Sequence, residues 1–505
     1  MSNLFEGLIQ AVAPRVALKR ALARKAIDLL DVRAGYDAAG KGRRGMFSRG
    51  TTQNAEGRRS LVALRNNARE LQRNNPYASS ALQAVVSGTV GSGIKPVASH
   101  PTSKKKKKLA DELMAAWARN VSCDFDGRLD LFGLQALVMQ TESLSGEALI
   151  VRRIVNDPSM TIPLKLQILE GDFLDHTKDI PLSNGDQVIQ GIQVRDGSRQ
   201  FYFLHESHPG EGYTRGITSK AISADQVAHV YDMIRPGQMR GVPRGVSAFT
   251  RLKLLDDYQD ARLELQRMAS CIAGFIFNEE GDGAKGDILP ERLEPGMLAR
   301  LNGDERIAFN SPPASSDHAS FIVPEQRIIA TAWGITYEAL TGDYSGVNFA
   351  SGKMGRIQMF SNVHRWRFNM LIPQFCKKIE SWFLEAARLK GYDLSGVTFE
   401  WTPPKKEILD PAAEIPAIIK EIRAGLNSFQ GACRERGIDH EALLKQIKED
   451  IDLFDQYGLV LDIDPRRTTN SGQMQSVGNA AQGVDLSTND EGVPGEKDED
   501  IKRAA

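Results

Sequence analysis

The stretch from Ser247 to Ile276 reads as one helix too long for a small partner to cover. It sets Ala248, Leu252, Leu255, Tyr258, Ala261, Leu265, Met268 or Ala269, Ile272 and Phe275 or Ile276 on one stripe. Asp256, Asp257, Asp260, Arg262, Glu264 and Arg267 occupy the other faces, the spacing of an amphipathic helix. At 1.5 Å per residue such a helix runs roughly 40 Å. With a single apolar stripe of that length, it must pack in a bundle or against copies of itself.

The other segments fix the fold class as α+β. At 505 residues the chain exceeds one ordinary core, so several structural regions are expected. Residues 1–60 read as a basic, partly helical arm. A helical pattern starts at Ser60 and passes into a second helix with a Gly-rich exit, "NNPYASSALQAVVSGTVGSG". "KKKKK" at 104–108 reads as a solvated loop ahead of an amphipathic helix from Leu109 to Asn120. Between 147 and 232 the runs "ALIVRRIV", "LKLQILEG", "QVIQGIQVRDG", "RQFYFLHES" and "QVAHVYDMI" are short, β-branched or aromatic, and bounded by turn residues.

Beyond the long helix, 278–313 is a compact excursion of short strands and turns. Helix returns at "PEQRIIATAWGIT", and a second long helix runs from about Ala350 to Lys390. "VTFEW" is one further strand, and Pro411 to Leu459 is helical. From Asp462 the chain holds almost no large apolar residue and is expected to be disordered.

Composition excludes more than it names. Hydrophobic residues are 41% and charged residues 25%, as in a soluble globular protein. Lys+Arg and Asp+Glu are both 64, so the net charge says nothing about partners. The distribution is uneven: residues 1–74 carry 15 Lys/Arg against 6 Asp/Glu, and Asp485 to Asp500 is acid-rich. That asymmetry suits nucleic-acid or assembly contacts, and it suits solvated chain ends equally well. Cys123, Cys271, Cys376 and Cys433 lie far apart and read as isolated thiols of a reducing cytoplasm. The N-terminus lacks a signal-peptide core, and the uncharged run Asn74–Ile94 is too polar to span a membrane. A soluble protein, cytoplasmic when made and with no membrane contact, is expected.

No catalytic motif stands out. "TGDYSGVNFASGKMG" (341–355) has the look of a phosphate-binding loop, but that motif needs four residues between its glycines and a hydroxyl after the lysine. Here five residues separate Gly346 from Gly352, and Met354 follows Lys353. "GTVGSG" (88–93) follows a helix where a dinucleotide fingerprint must follow a strand. "HESH" (205–208) sets two His around a Glu on a strand or loop, and His229 reads as a satisfied core residue. No metal, cofactor or catalytic residue is expected.

Several segments, in order, carry a resemblance: "NNPYASSALQAVVSGTVGSGI", "LQILEGDFLD", "VAHVYDMIRPGQMRGVP", "LLDDYQDARLELQRMASCIAGFI", "LEPGMLARLNGDE" and "ITYEALTGDYSGVNFAS". Over roughly residues 55–460 the chain resembles the portal proteins of tailed bacteriophages, of the lambda-type family. "RPGQMRGVP" and "LTGDYSGVNFASGK" are the most specific parts. The family more often has a second Ser and an Arg where this chain has Gly352-Lys353, a change that keeps the charge.

The resemblance implies a ring subunit, twelvefold when assembled at one capsid vertex of the virion, serving DNA packaging and ejection. It implies a mixed, β-rich wing (61–246), a first stem helix (247–276), a clip (277–320), a second stem helix (321–338), a tunnel loop (339–352), a tunnel helix returning to the wing (353–410) and a helical crown (411–461). Residues 1–60 form the N-terminal arm and 462–505 the disordered tail. Double-stranded DNA in the channel, the terminase large subunit, a head-completion or adaptor protein, and the major capsid protein with its scaffold are the implied partners. Asp343, Tyr344, Ser345, Asn348, Lys353 and Arg356 are then the candidate channel residues. Gly342, Gly346 and Gly352 supply backbone freedom. Lys353, Arg356, His364, Arg365 and Arg367 precede the next acid, Glu380, and only a few of them are expected to face the lumen. Other readings are a different head–tail connector ring or a nucleotide-driven DNA motor, against which the broken phosphate loop argues.

Overall fold

A computed structural model describes residues 51–182, 185–211, 218–271, 275–278, 305–308, 318–404, 410–438, 440–459 and 461. The arm before 51, most of 277–320 and the tail from 462 lie outside the described residues. The chain divides into two units, Met1–Pro404 and Lys405–Ala505.

The first unit opens with α1 (Gln53–Asn74) and α2 (Pro76–Thr89). Helix α1 begins seven residues before the expected Ser60, because the Thr52 side chain accepts the Ala55 N–H and caps it. Asn75 serves both helices: its N–H bonds back to Leu71, and its side chain accepts from Tyr77 and Ala78 with Pro76 at the first helical position. Strand β1 (Lys95–Ser99) follows, then α3 (Lys104–Ala118). The five lysines are thus the opening turns of α3 and not a loop. Ser103 caps the helix, and the Lys106 ammonium, 2.8 Å from Asp393, offsets part of the unfavourable charge at a helix N-terminus.

Helix α4 (Leu131–Ser145) leads through Gly146 into β2 (Glu147–Ile154). Strands β3 (Leu164–Glu170), β4 (Ile180–Pro181), β5 (Gln187–Ile189), β6 (Ile192–Arg195), β7 (Ser198–His205), β8 (Ser219–Ser223) and β9 (Val227–Tyr231) complete the region expected to be β-rich. They form two sheets, one ordered β3-β2-β9 and the other a meander β4-β5-β6-β7-β8. Strand β2 is central and apolar on both faces. Ala148 and Ile150 pack into the main helical core, while Leu149 and Val151 pack with Ile192, Tyr202 and Leu204 in a second core.

The long helix α5 runs Phe249–Cys271. Its expected end at Ile276 is replaced by β10 (Phe275–Asn278), paired antiparallel with β11 (Glu305–Ala308). Three aromatic or branched residues in "FIFN" have found a strand partner that periodicity did not reveal. Helix α6 spans His318–Trp333, so Pro324 lies inside it and not at its start. Packing of the preceding turn compensates for the missing N–H: Ile322 is buried, and Phe321 lies 4.8 Å from the Tyr258 ring. Arg251 also pairs with Glu325 at 2.6 Å, so α5 and α6 run in opposite directions. Among the described residues the α5 stripe is covered within the chain only as far as Tyr258. Leu252 and Leu255 are buried, while Ala261 and Leu265 are exposed, as are Leu254 and Leu263 on other faces.

After α7 (Tyr337–Thr341) the second long helix begins as α8 (Phe349–Arg365), widens into a π-helical segment (Trp366–Cys376) containing Pro373, and ends as α9 (Lys377–Leu389). Strand β12 (Thr398–Thr402) pairs with β1, far away in sequence. The second unit, on its own, holds α10 (Pro411–Arg423), α11 (Phe429–Glu435) and α12 (His440–Tyr457). Cys123, Cys376 and Cys433 are free, buried thiols. Among the described residues no helix is long and apolar enough to cross a membrane.

Candidate nucleic-acid interface

The segment quoted above as a phosphate-loop lookalike is a helix–loop–helix. The Thr336 side chain caps α7, and Gly342, at φ 71°, closes its C-terminus by donating its N–H to the Glu338 carbonyl. A phosphate loop connects a strand to a helix; here a helix stands in the strand's place. The irregular part is shorter than the expected 339–352, narrowing to 342–348. Gly346 and Gly352 do not use positive φ. Gly352 is already helical.

Within the loop, Asp343 accepts the Ser345 N–H and the Tyr337 hydroxyl, each at 3.0 Å. Those bonds hold its carboxyl below the usual range, the Ser345 contacts first. Tyr344 is 66% exposed, with Phe349, Met354 and Ile357 also open to solvent. Asn348 is not a free loop side chain. It accepts the Ser351 N–H at 2.8 Å while the Ser351 hydroxyl accepts the Asn348 N–H, a reciprocal cap on α8.

Lys353 and Arg356 lie on the first two turns of α8, half-buried. Each sits over an aromatic ring one helical turn away, Lys353 over Phe349 at 6.0 Å and Arg356 over Phe360 at 5.4 Å. The further cations are committed elsewhere. Arg365 reaches Asp232 at 3.5 Å, and His364 stacks on Phe368. Arg367 donates to the carbonyls of Gly88 and Thr89 at the end of α2, and burial lowers its guanidinium to about 10, still cationic at neutral pH. The structure therefore gathers all six candidate residues between 343 and 356, with Asp343 and Asn348 in local structural bonds.

"RPGQMRGVP" builds something that motif reasoning missed. Gln238 accepts the N–H groups of Ile234 and Arg235 and donates to the Arg240 carbonyl, which folds the turn. Arg240 enters the protein and bonds Glu147, the Gly171 carbonyl and the Gln190 carbonyl. Glu147 is fully buried, yet it meets Arg65, Arg240, His229 and the Gly241 N–H. Burial alone would raise its carboxyl, but the Arg240 and Arg65 guanidiniums outweigh that and hold it well below the usual range. Nearby Arg244 forms a two-pronged pair with Glu142 at 3.0 Å and lies over the Trp366 ring. The available signal was an acid in an apolar run, the Glu147 of "GEALIV".

The "HESH" histidines divide. His205 is near Asp175, while His208 lies beside Glu170 and Asp172. Arg69 already bonds both of those carboxylates, so the cation in that cluster is a guanidinium. His229 is a core residue as expected, its Nε2 2.9 Å from Glu147.

Comparison with known proteins places the chain in a family. The family model described as phage portal protein, lambda family, matches residues 40–367. A probable portal protein of Halomonas phage phiHAP-1 is 26% identical over 375 residues, 70% of this chain and 72% of that protein. Portal protein B of Escherichia phage lambda is 21% identical over 444 residues, 76% and 82% of the two chains. Among solved structures, a chain from the neck of an empty gene transfer agent particle matches with a TM-score of 0.47 and 15% identity, covering 75% of this chain and 94% of that one. With an α+β fold and a family match across most of its first unit, the chain belongs to the lambda family of phage portal proteins.

Proposed function

We propose that this portal protein assembles as a twelvefold ring at one capsid vertex. Double-stranded DNA passes through its centre during packaging and ejection. In this reading the β-rich region is the wing, α5 and α6 form the stem, the segment between them is the clip, and α10 to α12 form the crown. The loop 342–348 and the opening turns of α8 face the channel. The terminase large subunit and a head-completion protein dock on the ring, and the capsid protein and scaffold surround it.

The observation that carries the channel assignment is the exposed loop held between two capped helices, with Lys353 and Arg356 behind it. No acid occurs between them and Glu380. A short loop anchored at both ends moves without unravelling its helices. Two half-buried cations attract phosphates without the grip a full basic stripe would exert on a moving duplex. The ring does no hydrolysis on this reading: the helix before the loop and Met354 after Lys353 leave no phosphate cradle and no magnesium-binding hydroxyl.

The test is in vitro DNA packaging measured beside ring assembly by microscopy. Deleting Tyr344 to Val347 leaves the Asn348 cap in place; ring formation is expected to stay near normal while packaging or retention falls sharply. Lys353→Ala with Arg356→Ala should reduce packaging less, and in a salt-dependent way. Loss of ring assembly in the deletion would make the loop a subunit interface. Unchanged packaging and retention would remove it from the channel.

A further inference from the structure

We propose that the second unit completes its core only in the assembled ring, where the apolar seam of α12 in one copy packs against that of α10 in the next. The inference rests on the ring reading above and adds which surfaces meet.

Local chemistry starts these helices but does not hold them. Asp410 accepts the Ala413 N–H and caps α10, and Ser428 accepts the Gly431 N–H and caps α11. Helices of 13, 7 and 18 residues draw most of their stability from packing an apolar face. Yet among the described residues of this unit only Ala432 and Cys433 are buried, and α10 and α12 bury none. A unit of this size without a core needs a cover from outside itself.

The spacing of the apolar residues identifies that cover as a helix. On α12, Leu444, Ile447, Ile451 and Phe454 follow at intervals of three, four and three; on α10, Ile415, Ile418 and Ile422 follow at three and four. This is the narrow seam of a helix pair. Within one chain α10 and α12 each pack on α11, and both seams stay open. Leu444, Ile447 and Ile415 are exposed, and the other four are half-buried.

Charge selects which helix. Helix α12 has five acids against two lysines, and Glu449, Asp450, Asp452 and Asp455 are all exposed along its second half. Two α12 helices side by side would therefore repel each other. Residues 411–438 carry four cations against three acids, with Lys420 and Arg423 exposed beside Ile422. An α12-to-α10 contact joins two different faces. Contacts between unlike faces continue round a ring, whereas a self-complementary contact stops at a dimer.

The experiment is limited tryptic digestion of the full-length protein, comparing rings with unassembled subunits. Subunits are obtained by dilution or with Leu263→Asp, and light scattering sorts the two states. Lys420, Arg423, Arg434, Arg436, Lys445 and Lys448 supply cutting sites in this unit. Cutting there should be about tenfold slower, or more, in rings than in subunits, because a protease reads the open population. Ile418→Asp and Ile447→Asp place a charge in one seam each; either should bring cutting in assembled material close to the subunit rate. Equal cutting of wild-type rings and subunits, fast or slow, would overturn the proposal. So would wild-type protection in Ile418→Asp rings, which would leave α10 out of the contact. Absence of rings at every concentration would instead remove the ring reading itself, so the two failures are told apart.

Discussion

Arg240 and Glu147 meet 2.6 Å apart, with the arginine side chain 2% exposed and the carboxylate not exposed at all. The pair ties the "RPGQMRGVP" turn to the first residue of the central strand β2, and Arg65 on α1 joins from the other side. One buried carboxylate therefore links three parts of the chain.

Removing that charge should be severe. In Glu147→Gln two buried guanidiniums lose their counter-charge, and breaking such a pair costs about 3–5 kcal/mol. Denaturant unfolding of the variant should show a lowered midpoint or no folded protein. A midpoint within experimental error of wild type would show that the network contributes little.

The same network should make stability depend on acid. Burial first, and then the nearby Arg199 and Arg240, lower His229 to about 4, against the partial opposition of Glu147. The unfolded chain takes up this proton near 6.5 and the folded chain only near 4, so the contribution is complete above 6.5 and is lost as pH falls from 6.5 to 4. The loss amounts to about 3 kcal/mol for the full shift. Glu147 adds a further loss below its unfolded value, because its folded carboxyl is held well down. Unfolding free energies measured between pH 4 and 7 should slope accordingly. His229→Gln should flatten that window.

Two glycines make a sharp contrast. A Cβ on Gly241 would lie 1.8 Å from the Gly146 carbonyl oxygen, where backbone meets backbone and neither can yield. Gly241→Ala is expected to abolish soluble expression. In the loop, a Cβ on Gly346 meets nothing within 4 Å, so Gly346→Ala should unfold within about 0.5 kcal/mol of wild type. Comparable solubility and melting of the two variants would contradict the packing argument.

The exposed apolar residues of α5 should matter only for assembly. Leu254 and Leu263 are each 61% exposed in the single chain. Leu263→Asp should leave the circular dichroism of the subunit unchanged and reduce ring formation, read by light scattering. Rings at wild-type yield would place the interface elsewhere on the subunit.

Periodicity and turn chemistry determined much of this protein. The first part of the α5 stripe, the run of short strands, the long helix behind the loop and the "VTFEW" strand follow from local alternation, and local alternation is what those elements bury. A loop ahead of the second long helix was legible from its glycines and polar residues, but the Gly342 and Asn348 caps that narrow it to 342–348 were not. Tertiary structure decided what sequence spacing does not encode. Pairing of β1 with β12, of β10 with β11, and the early start of α6 depend on partners distant in the chain. Glu147 stands out in sequence only as an acid in an apolar run, and Arg240 not at all; both are buried because two cores close over β2 from opposite sides. Burial of a charge is a property of everything packed around it, so it emerged only once the fold had brought Arg65, His229 and Arg240 to one carboxylate.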